Sequence, residues 1–252
     1  MQTLKPKVAV LLPVLNEIAV IEDLVAQLVA ELTPYNFDVY FIDDGSTDGT
    51  LEFLQSRTIT DPRLKLIARH KTGKGCKRGK ALYDALHLAL ENGYAYFVEM
   101  DGDLSHNAKD LSKGLELLQK GYDVVIASKY LPESAIVKRS VFRNIISYFN
   151  SAIFRLFLKR SIKDYSNGYR FYNRTAAEKI TACKIENEGP LYLGEVLALW
   201  IKNGLRIAEF PSVYNARGAG ASKVIVKDVV TSFFGSVKII VRYHFTGFKP
   251  VV

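Results

Sequence analysis

Three observations predict an α/β fold with a mostly parallel central sheet flanked by helices. Short apolar runs at 8–12, 39–42, 64–68, 94–100 and 123–127 read as strands buried on both faces. Segments with apolar residues at helical spacing separate them, and that alternation implies right-handed crossovers between parallel neighbours. The runs end in acid, with Glu17 after the first, Asp43-Asp44 after the second and Asp101-Gly102-Asp103 after the fourth. A Rossmann-like three-layer architecture follows, with its chemistry just beyond the carboxyl ends of the strands.

Taken in order, the first strand is stopped by Pro13. Ile18, Ile21, Leu24, Val25, Leu28, Val29 and Leu32 then mark one helical face, with Asn16 as the expected N-cap. The second strand runs into 43–49, whose Asp, Gly and Ser residues either form a plain turn or present carboxylates to a ligand. Helices are expected at 50–56, 79–91 and 108–119. No G-x-G-x-x-G turn is present, and Gly73-Lys74-Gly75 is too short for a P-loop, so neither dinucleotide nor P-loop nucleotide binding is indicated.

The second half changes character. A helix is expected over 140–159, crowded with Val141, Phe142, Ile145, Ile146, Phe149, Ile153, Phe154, Phe157 and Leu158. Lys138, Arg139, Arg143, Arg155, Lys159 and Arg160 flank or interrupt it. The pattern returns at 227–245, with Phe233, Phe234, Val237, Ile240, Val241 and Phe245 on one face and Lys238 and Arg242 elsewhere. Basic amphipathic helices of this kind either pack inside a large domain or lie in a membrane interface. Between them fall a helix or loop at 191–203 and a strand at 205–210. Without repeats or low-complexity linkers, residues 1–223 read as one domain, with 224–252 as a C-terminal amphipathic helix in possible contact with a membrane surface.

The chain has 252 residues and a net charge of +8, which favours an anionic partner: a phosphate-bearing substrate, an acidic membrane or nucleic acid. Cys76 and Cys183 lie far apart without metal-type spacing, so a reducing compartment and no disulfide framework are expected. The N-terminus shows no apolar signal region, and no uncharged apolar run reaches the ~18 residues needed to span a bilayer. The expected location is cytoplasmic, peripheral on the cytosolic face of a membrane.

Asp101 and Asp103 leave an extended chain on the same side, and Gly102 lets the backbone come close to a ligand. Two hard oxygen ligands suit Mg2+ or Mn2+, which completes its shell with waters and substrate phosphates. Ser105 supplies a further oxygen. A solvated Asp-Gly-Asp turn is the alternative.

Pro13-Val14-Leu15-Asn16-Glu17, Asp43-Asp44-Gly45-Ser46-Thr47-Asp48-Gly49-Thr50 and Met100-Asp101-Gly102-Asp103-Leu104-Ser105-His106 resemble the family-2 glycosyltransferases of GT-A fold. Ser128-Lys129-Tyr130, the 164–172 segment and Arg217-Gly218-Ala219-Gly220-Ala221-Ser222-Lys223 narrow the resemblance to the dolichol-phosphate mannose synthase branch, over about 8–223. The resemblance implies that Pro13, Leu15, Glu17, Ile42 and Asp44 line a nucleoside site. Asp101, Gly102 and Asp103 would sit at the donor diphosphate, with Asp101, Asp103 and Ser105 as metal ligands. Lys129 would contact donor phosphate, and Arg143, Arg217 and Lys223 the acceptor phosphate. Arg217 and Lys223 would close a glycine-rich loop over the site and act with the two aspartates in catalysis.

The implied activity is inverting, metal-dependent transfer of mannose or glucose from GDP-mannose or UDP-glucose to a polyprenyl phosphate. A membrane-spanning partner subunit is a further possible partner. An acceptor phosphate is already anionic and needs no general base, only alignment. A glycan, protein or modified nucleic-acid acceptor would need one. Glu195 is then the candidate, against its reading as a solvated helix carboxylate. A binding module of the same fold, without chemistry, is the non-enzymatic alternative. Three departures from the family stand out: Lys129 replaces the usual Arg, Leu15 replaces an aromatic, and 131–138 lacks the glycine-rich run.

Overall fold

The computed structural model describes residues 6–69, 77–216 and 226–245, the side chains of 142, 143 and 226–230 excepted. In chain order the elements are β1 (Lys7–Val14), α1 (Ile21–Leu32), β2 (Asn36–Asp43), α2 (Thr50–Thr60), β3 (Leu64–Ala68), α3 (Arg78–Glu91), β4 (Tyr96–Glu99) and α4 (Asp110–Gln119). There follow β5 (Val124–Ser128), β6 (Ala135–Val137), α5 (Val141–Phe157), β7 (Arg170–Asn173), α6 (Arg174–Thr181) and α7 (Tyr192–Lys202). Last come β8 (Ile207–Pro211), β9 (Val213–Asn215) and α8 (Val226–Ile240), with a π-helical turn at Val241–Phe245.

Seven strands form one sheet in the order β3-β2-β1-β4-β7-β5-β8, and β6 pairs with β9 in a separate parallel ribbon. The sheet is parallel except for β7, which lies antiparallel between β4 and β5. The strand alternation predicted from sequence is present, but this central reversed strand falls within a stretch read only as a motif. Its signal is the two-residue period: Phe171 packs on one face of the sheet and Tyr172 on the other. β1 shows the same division, with Ala9 and Leu11 facing one core and Val8, Val10 and Leu12 the other. Apolar contact on both faces explains its unbroken hydrophobic run.

One expectation is corrected here. Asn16 is not the cap of α1, which begins at Ile21 after Val20 and has no side-chain cap. Asn16 instead adopts a φ of 56°, donates its N–H to Ser46 Oγ at 2.9 Å and accepts from Thr47 N at 2.8 Å. It thereby ties the loop after β1 to the loop after β2. Gly102 is also needed within the fold: a Cβ there would lie 2.6 Å from Val14 Cγ1 and 3.1 Å from the Pro13 carbonyl. Its small size lets the end of β4 close against the end of β1.

The last helix, α8, packs on α5 and α7, and Ser236 Oγ donates to Asn150 Oδ1 at 2.5 Å. Ile240, expected on the outer apolar face, is buried, whereas Phe233, Phe234, Val237, Val241 and Phe245 are exposed. On α5, Val141, Ile145, Tyr148, Phe149, Leu156 and Phe157 are exposed as well. Among the described residues no helix is long and apolar enough to cross a membrane.

Candidate active site

The parallel strands β1, β2, β4 and β5 bring their carboxyl ends to one edge, where the loops after them form a cleft. Asp101 stands two residues beyond β4. Its Oδ1 accepts from Arg78 Nε at 2.7 Å, and its Oδ2 lies 3.2 Å from His106 Nε2. Burial alone would raise this carboxyl, but Arg78 and His106 outweigh it and hold Asp101 well below the usual carboxylate range. Arg78 also donates to the Gly168 carbonyl at 3.2 Å. A side chain at Gly168 would collide with that guanidinium, so glycine is required for Arg78 to reach across.

Asp103 Oδ1 accepts from Ser105 N at 3.0 Å, across the positive φ of 58° at Leu104. Asp101 and Asp103 carry hard oxygen donors of the kind that suits Mg2+ or Mn2+, in a shell that a ligand's phosphate oxygens would have to complete. Among the described residues no three His, Cys, Asp or Glu side chains converge as a metal site. Ser105, expected as a ligand, is fully buried and its Oγ has no hydrogen-bond partner of normal geometry. As placed, it does not open to the cleft, because the turn at Leu104 folds it inward. His106 is enclosed between the rings of Tyr169 at 5.0 Å and Tyr214 at 5.6 Å.

On the nucleoside side, Pro13 and Leu15 are half-buried at the end of β1. Glu17 is buried, and its N–H donates to Thr50 Oγ1 at 2.8 Å. Asp44 is paired with Arg69 Nη1 at 2.9 Å, a partner that sequence reading missed. The neighbouring Asp43 forms a turn, accepting from Gly45 N at 2.8 Å and Ser46 N at 3.0 Å. Ile42 has its side chain in the core, so it offers no open face to a nucleoside.

The other side of the cleft is cationic. A cavity of about 250 Å³ is lined by Arg78, Asp101, Lys129, Arg139, Ser166 and Tyr214, among others. Lys129 is buried; its Nζ contacts Asp164 Oδ1 at 3.3 Å and Ser166 Oγ at 2.8 Å. Asp164, fully enclosed, also accepts from the backbone N–H groups of Lys129, Ser166 and Asn167. Burial raises its carboxyl, but Lys129 and these donors outweigh that and hold it low. Burial pulls the Lys129 ammonium down, with Asp164 opposing. Lys129 therefore reaches the cleft already matched by a carboxylate. Arg143's side chain, Arg217 and Lys223 lie outside what the structure describes.

Beneath the cleft, Glu99 is fully buried and accepts from Tyr172 Oη at 3.0 Å and Tyr192 Oη at 3.1 Å. Burial pushes its carboxyl up, with Arg78 and Arg170 opposing. Arg170 donates to the carbonyls of Tyr165, Asn167 and Leu193, which fixes the wall formed by 164–169. Arg78 and Tyr214 were not singled out from sequence, and Arg139 was read only as a basic flank of the 140–159 helix. They reach the cleft from α3, β9 and the β6–α5 connection, and only the tertiary fold assembles them.

Glu195 is neither a solvated carboxylate nor part of the cleft. It is fully buried and accepts from Glu186 N, Asn187 N and Nδ2, Arg242 Nη1 and Tyr243 Oη. Its role is to anchor the C-terminal turn to the segment that precedes α7.

Comparisons with known proteins identify the family and the fold. The family model for glycosyl transferase family 2 matches residues 9–181. The polyprenol monophosphomannose synthase of Mycolicibacterium smegmatis is 30% identical over 198 residues, 78% of this chain and 73% of that protein. The undecaprenyl-phosphate mannosyltransferase of Micrococcus luteus is 31% identical over 218 residues, 86% of this chain and 87% of that one. Glucosyl-3-phosphoglycerate synthase from Mycobacterium tuberculosis, crystallised with Mn2+, UDP and glucosyl-3-phosphoglycerate, superposes with a TM-score of 0.65 at 18% identity. That alignment covers 97% of this chain and 82% of the other, and shows a shared GT-A fold. With an acidic pair at the end of β4 and a family match over most of its length, the chain belongs to the family-2 glycosyltransferases, in the branch that holds the polyprenyl-phosphate mannose synthases.

Proposed function

We propose that this glycosyltransferase moves a hexose from a nucleotide sugar to a polyprenyl phosphate at a membrane surface, in one inverting displacement. The observation that carries the reading is the cleft itself. Asp101, Arg78, Lys129 and Arg139 line it, Asp103 follows two residues after Asp101, and the exposed apolar face of α5 begins beside it. Named relatives support mannose as the sugar; the donor in this reading is GDP-mannose, with UDP-glucose as the competing donor.

In this reading Asp101 and Asp103 hold Mg2+ or Mn2+, which supplies charge neutralisation to the departing nucleoside diphosphate. Arg78 and His106 orient Asp101, and the Asp164–Lys129 pair presents a shielded positive charge. Pro13, Leu15, Glu17 and Asp44 border the nucleoside. Arg143, with Arg217 and Lys223 from the closing loop, completes the phosphate contacts. An oxygen of the acceptor phosphate attacks the anomeric carbon as the bond to the diphosphate oxygen breaks on the opposite face, so the anomeric configuration inverts. No general base is required, which agrees with the burial of Glu195 away from the cleft.

The exposed rings of α5 and α8, together with basic Lys138, Arg160 and Lys238, support peripheral attachment to the cytosolic face of a membrane. Residues 1–223 would be the catalytic domain and 224–252 its membrane-facing extension. The deciding experiment measures label moved from GDP-mannose or UDP-glucose into butanol-extractable polyprenyl phosphate, with Asp103→Ala as control. Lipid label that needs the metal and vanishes in the variant supports the reading. Donor hydrolysis without lipid label would reject the lipid acceptor in favour of a glycan, protein or nucleic-acid one.

A further inference from the structure

A row of aromatic rings leads from the cationic side of the cleft to the outside of the molecule. Lys129 Nζ lies 5.0 Å from the centroid of the Tyr130 ring. Tyr130 meets Tyr148 edge-on at 5.7 Å, and Tyr148 meets Phe149 edge-on at 6.4 Å. The row begins half-buried and ends in solvent, with Tyr148 51% and Phe149 62% exposed. Two large adjoining rings left in water mark a contact surface more often than an isolated apolar residue does. The helix that carries them is pinned to the cleft, because Ser147 Oγ donates to Ser166 Oγ at 2.7 Å, and Ser166 Oγ also meets Lys129 Nζ.

Two of the three cations at the inner end have carboxylate partners. Arg78 is matched by Asp101 and Lys129 by Asp164. Arg139 has no carboxylate partner among the described residues: it donates to the neutral Asn144 Oδ1 at 3.2 Å and lies 5.6 Å from the Tyr214 ring. A guanidinium held only by a neutral amide at one end and a line of rings at the other match an amphiphile with an anionic head. A phosphorylated sugar would leave the rings unused.

We propose that Tyr130, Tyr148 and Phe149 form the track for the first apolar units of the acceptor, whose phosphate rests against Arg139 beside Lys129. The inference rests on the lipid-phosphate reading above and specifies where the chain leaves the cleft. Arg139 is then the cation that selects an anionic head, and the rings select a hydrocarbon tail over a polar one.

The test uses a ten-carbon isoprenyl phosphate below its micelle concentration, without membrane, so that surface attachment does not enter. Acceptor KM and donor KM are measured separately for the full chain, for Tyr148→Ser/Phe149→Ser and for Tyr148→Phe. Both positions are exposed, so folding should survive the changes. The expected result is an acceptor KM raised about tenfold in the double variant, the scale of two lost aromatic contacts. Donor KM should stay within about twofold, and Tyr148→Phe should behave as the parent. An unchanged acceptor KM, or acceptor and donor KM rising together, would overturn the track while leaving the acceptor class standing. A parent enzyme that hydrolyses donor but labels no lipid phosphate, short or long, would overturn the acceptor reading and the track with it.

Discussion

Arg78 donates its Nε to Asp101 Oδ1 at 2.7 Å, so a cation of the protein already occupies one oxygen of the carboxylate assigned to the metal. The pair is only part-buried, with side-chain exposures of 23% and 30%, which leaves room for exchange. Replacing Arg78 with Met removes that positive charge and keeps its bulk. We predict tighter Mn2+ binding without nucleotide, by about tenfold given the charge separation and a partly wet site. Transfer should fall by at least about tenfold, because the diphosphate loses a cation. Mn2+ titration followed by paramagnetic resonance, alongside transfer rates, checks both halves. Unchanged Mn2+ affinity would sink the idea.

Asp164 and Lys129 are enclosed together, and removing one partner strands the other. Asp164→Ala should destabilise the fold by about 3–5 kcal/mol, the cost of an uncompensated buried charge. For a chain of this length that lowers Tm by about 6–20 °C. Differential scanning calorimetry is the measurement, and a loss below about 1 kcal/mol would contradict the geometry.

The same carboxylate carries a pH signature. Its pKa is held below the ordinary value in the fold, so its contribution is fully present above the unfolded value of about 4 and is lost as pH falls through the folded one. Urea midpoints of the parent and Asp164→Asn should therefore differ at pH 7 and converge as the pH drops below about 4. A gap that persists unchanged at the acidic end would show that the charge is not what matters.

Glu195 gathers the Glu186 and Asn187 donors with Arg242 and Tyr243. Glu195→Gln keeps the shape and should retain transfer activity at saturating substrates, as a residue outside the cleft would. Glu195→Ala should release the C-terminal turn and make the 241–245 region cut faster in limited proteolysis. Loss of chemistry in Glu195→Gln with a parental proteolysis pattern would restore the general-base role.

Gly102→Ala would place a methyl 2.6 Å from Val14 Cγ1 and 3.1 Å from the Pro13 carbonyl. Overpacking of this kind costs about 1–3 kcal/mol. Because it pushes β4's end away from β1's, nucleotide-sugar affinity should weaken along with Tm. Calorimetric titration with the donor measures the first effect. Parental affinity with lowered Tm would separate packing from the site.

The sequence by itself determined the layered α/β plan, because strands buried on both faces must be apolar along their length and helices on one face only. It also placed Glu17, Asp44, Asp101 and Asp103, since acids that follow such runs must fall at the strand ends. Tertiary structure alone decided what those acids touch. Arg69 and Arg78 reach Asp44 and Asp101 from the end of β3 and the start of α3, and no spacing rule joins positions 23 or 25 residues apart. Lys129 is enclosed with Asp164, 35 residues on, a partner that its own neighbours in sequence do not announce. Glu195 looked solvated because a helix carboxylate usually is, but the C-terminal turn folds back to cover it. The reversed strand β7 was hidden for a related reason: a four-residue strand with two adjacent rings carries no direction, and only pairing with β4 and β5 supplies it. Local patterns record which side chains avoid water; pairings between distant charges depend on where the chain returns, and that is settled by packing the whole core at once.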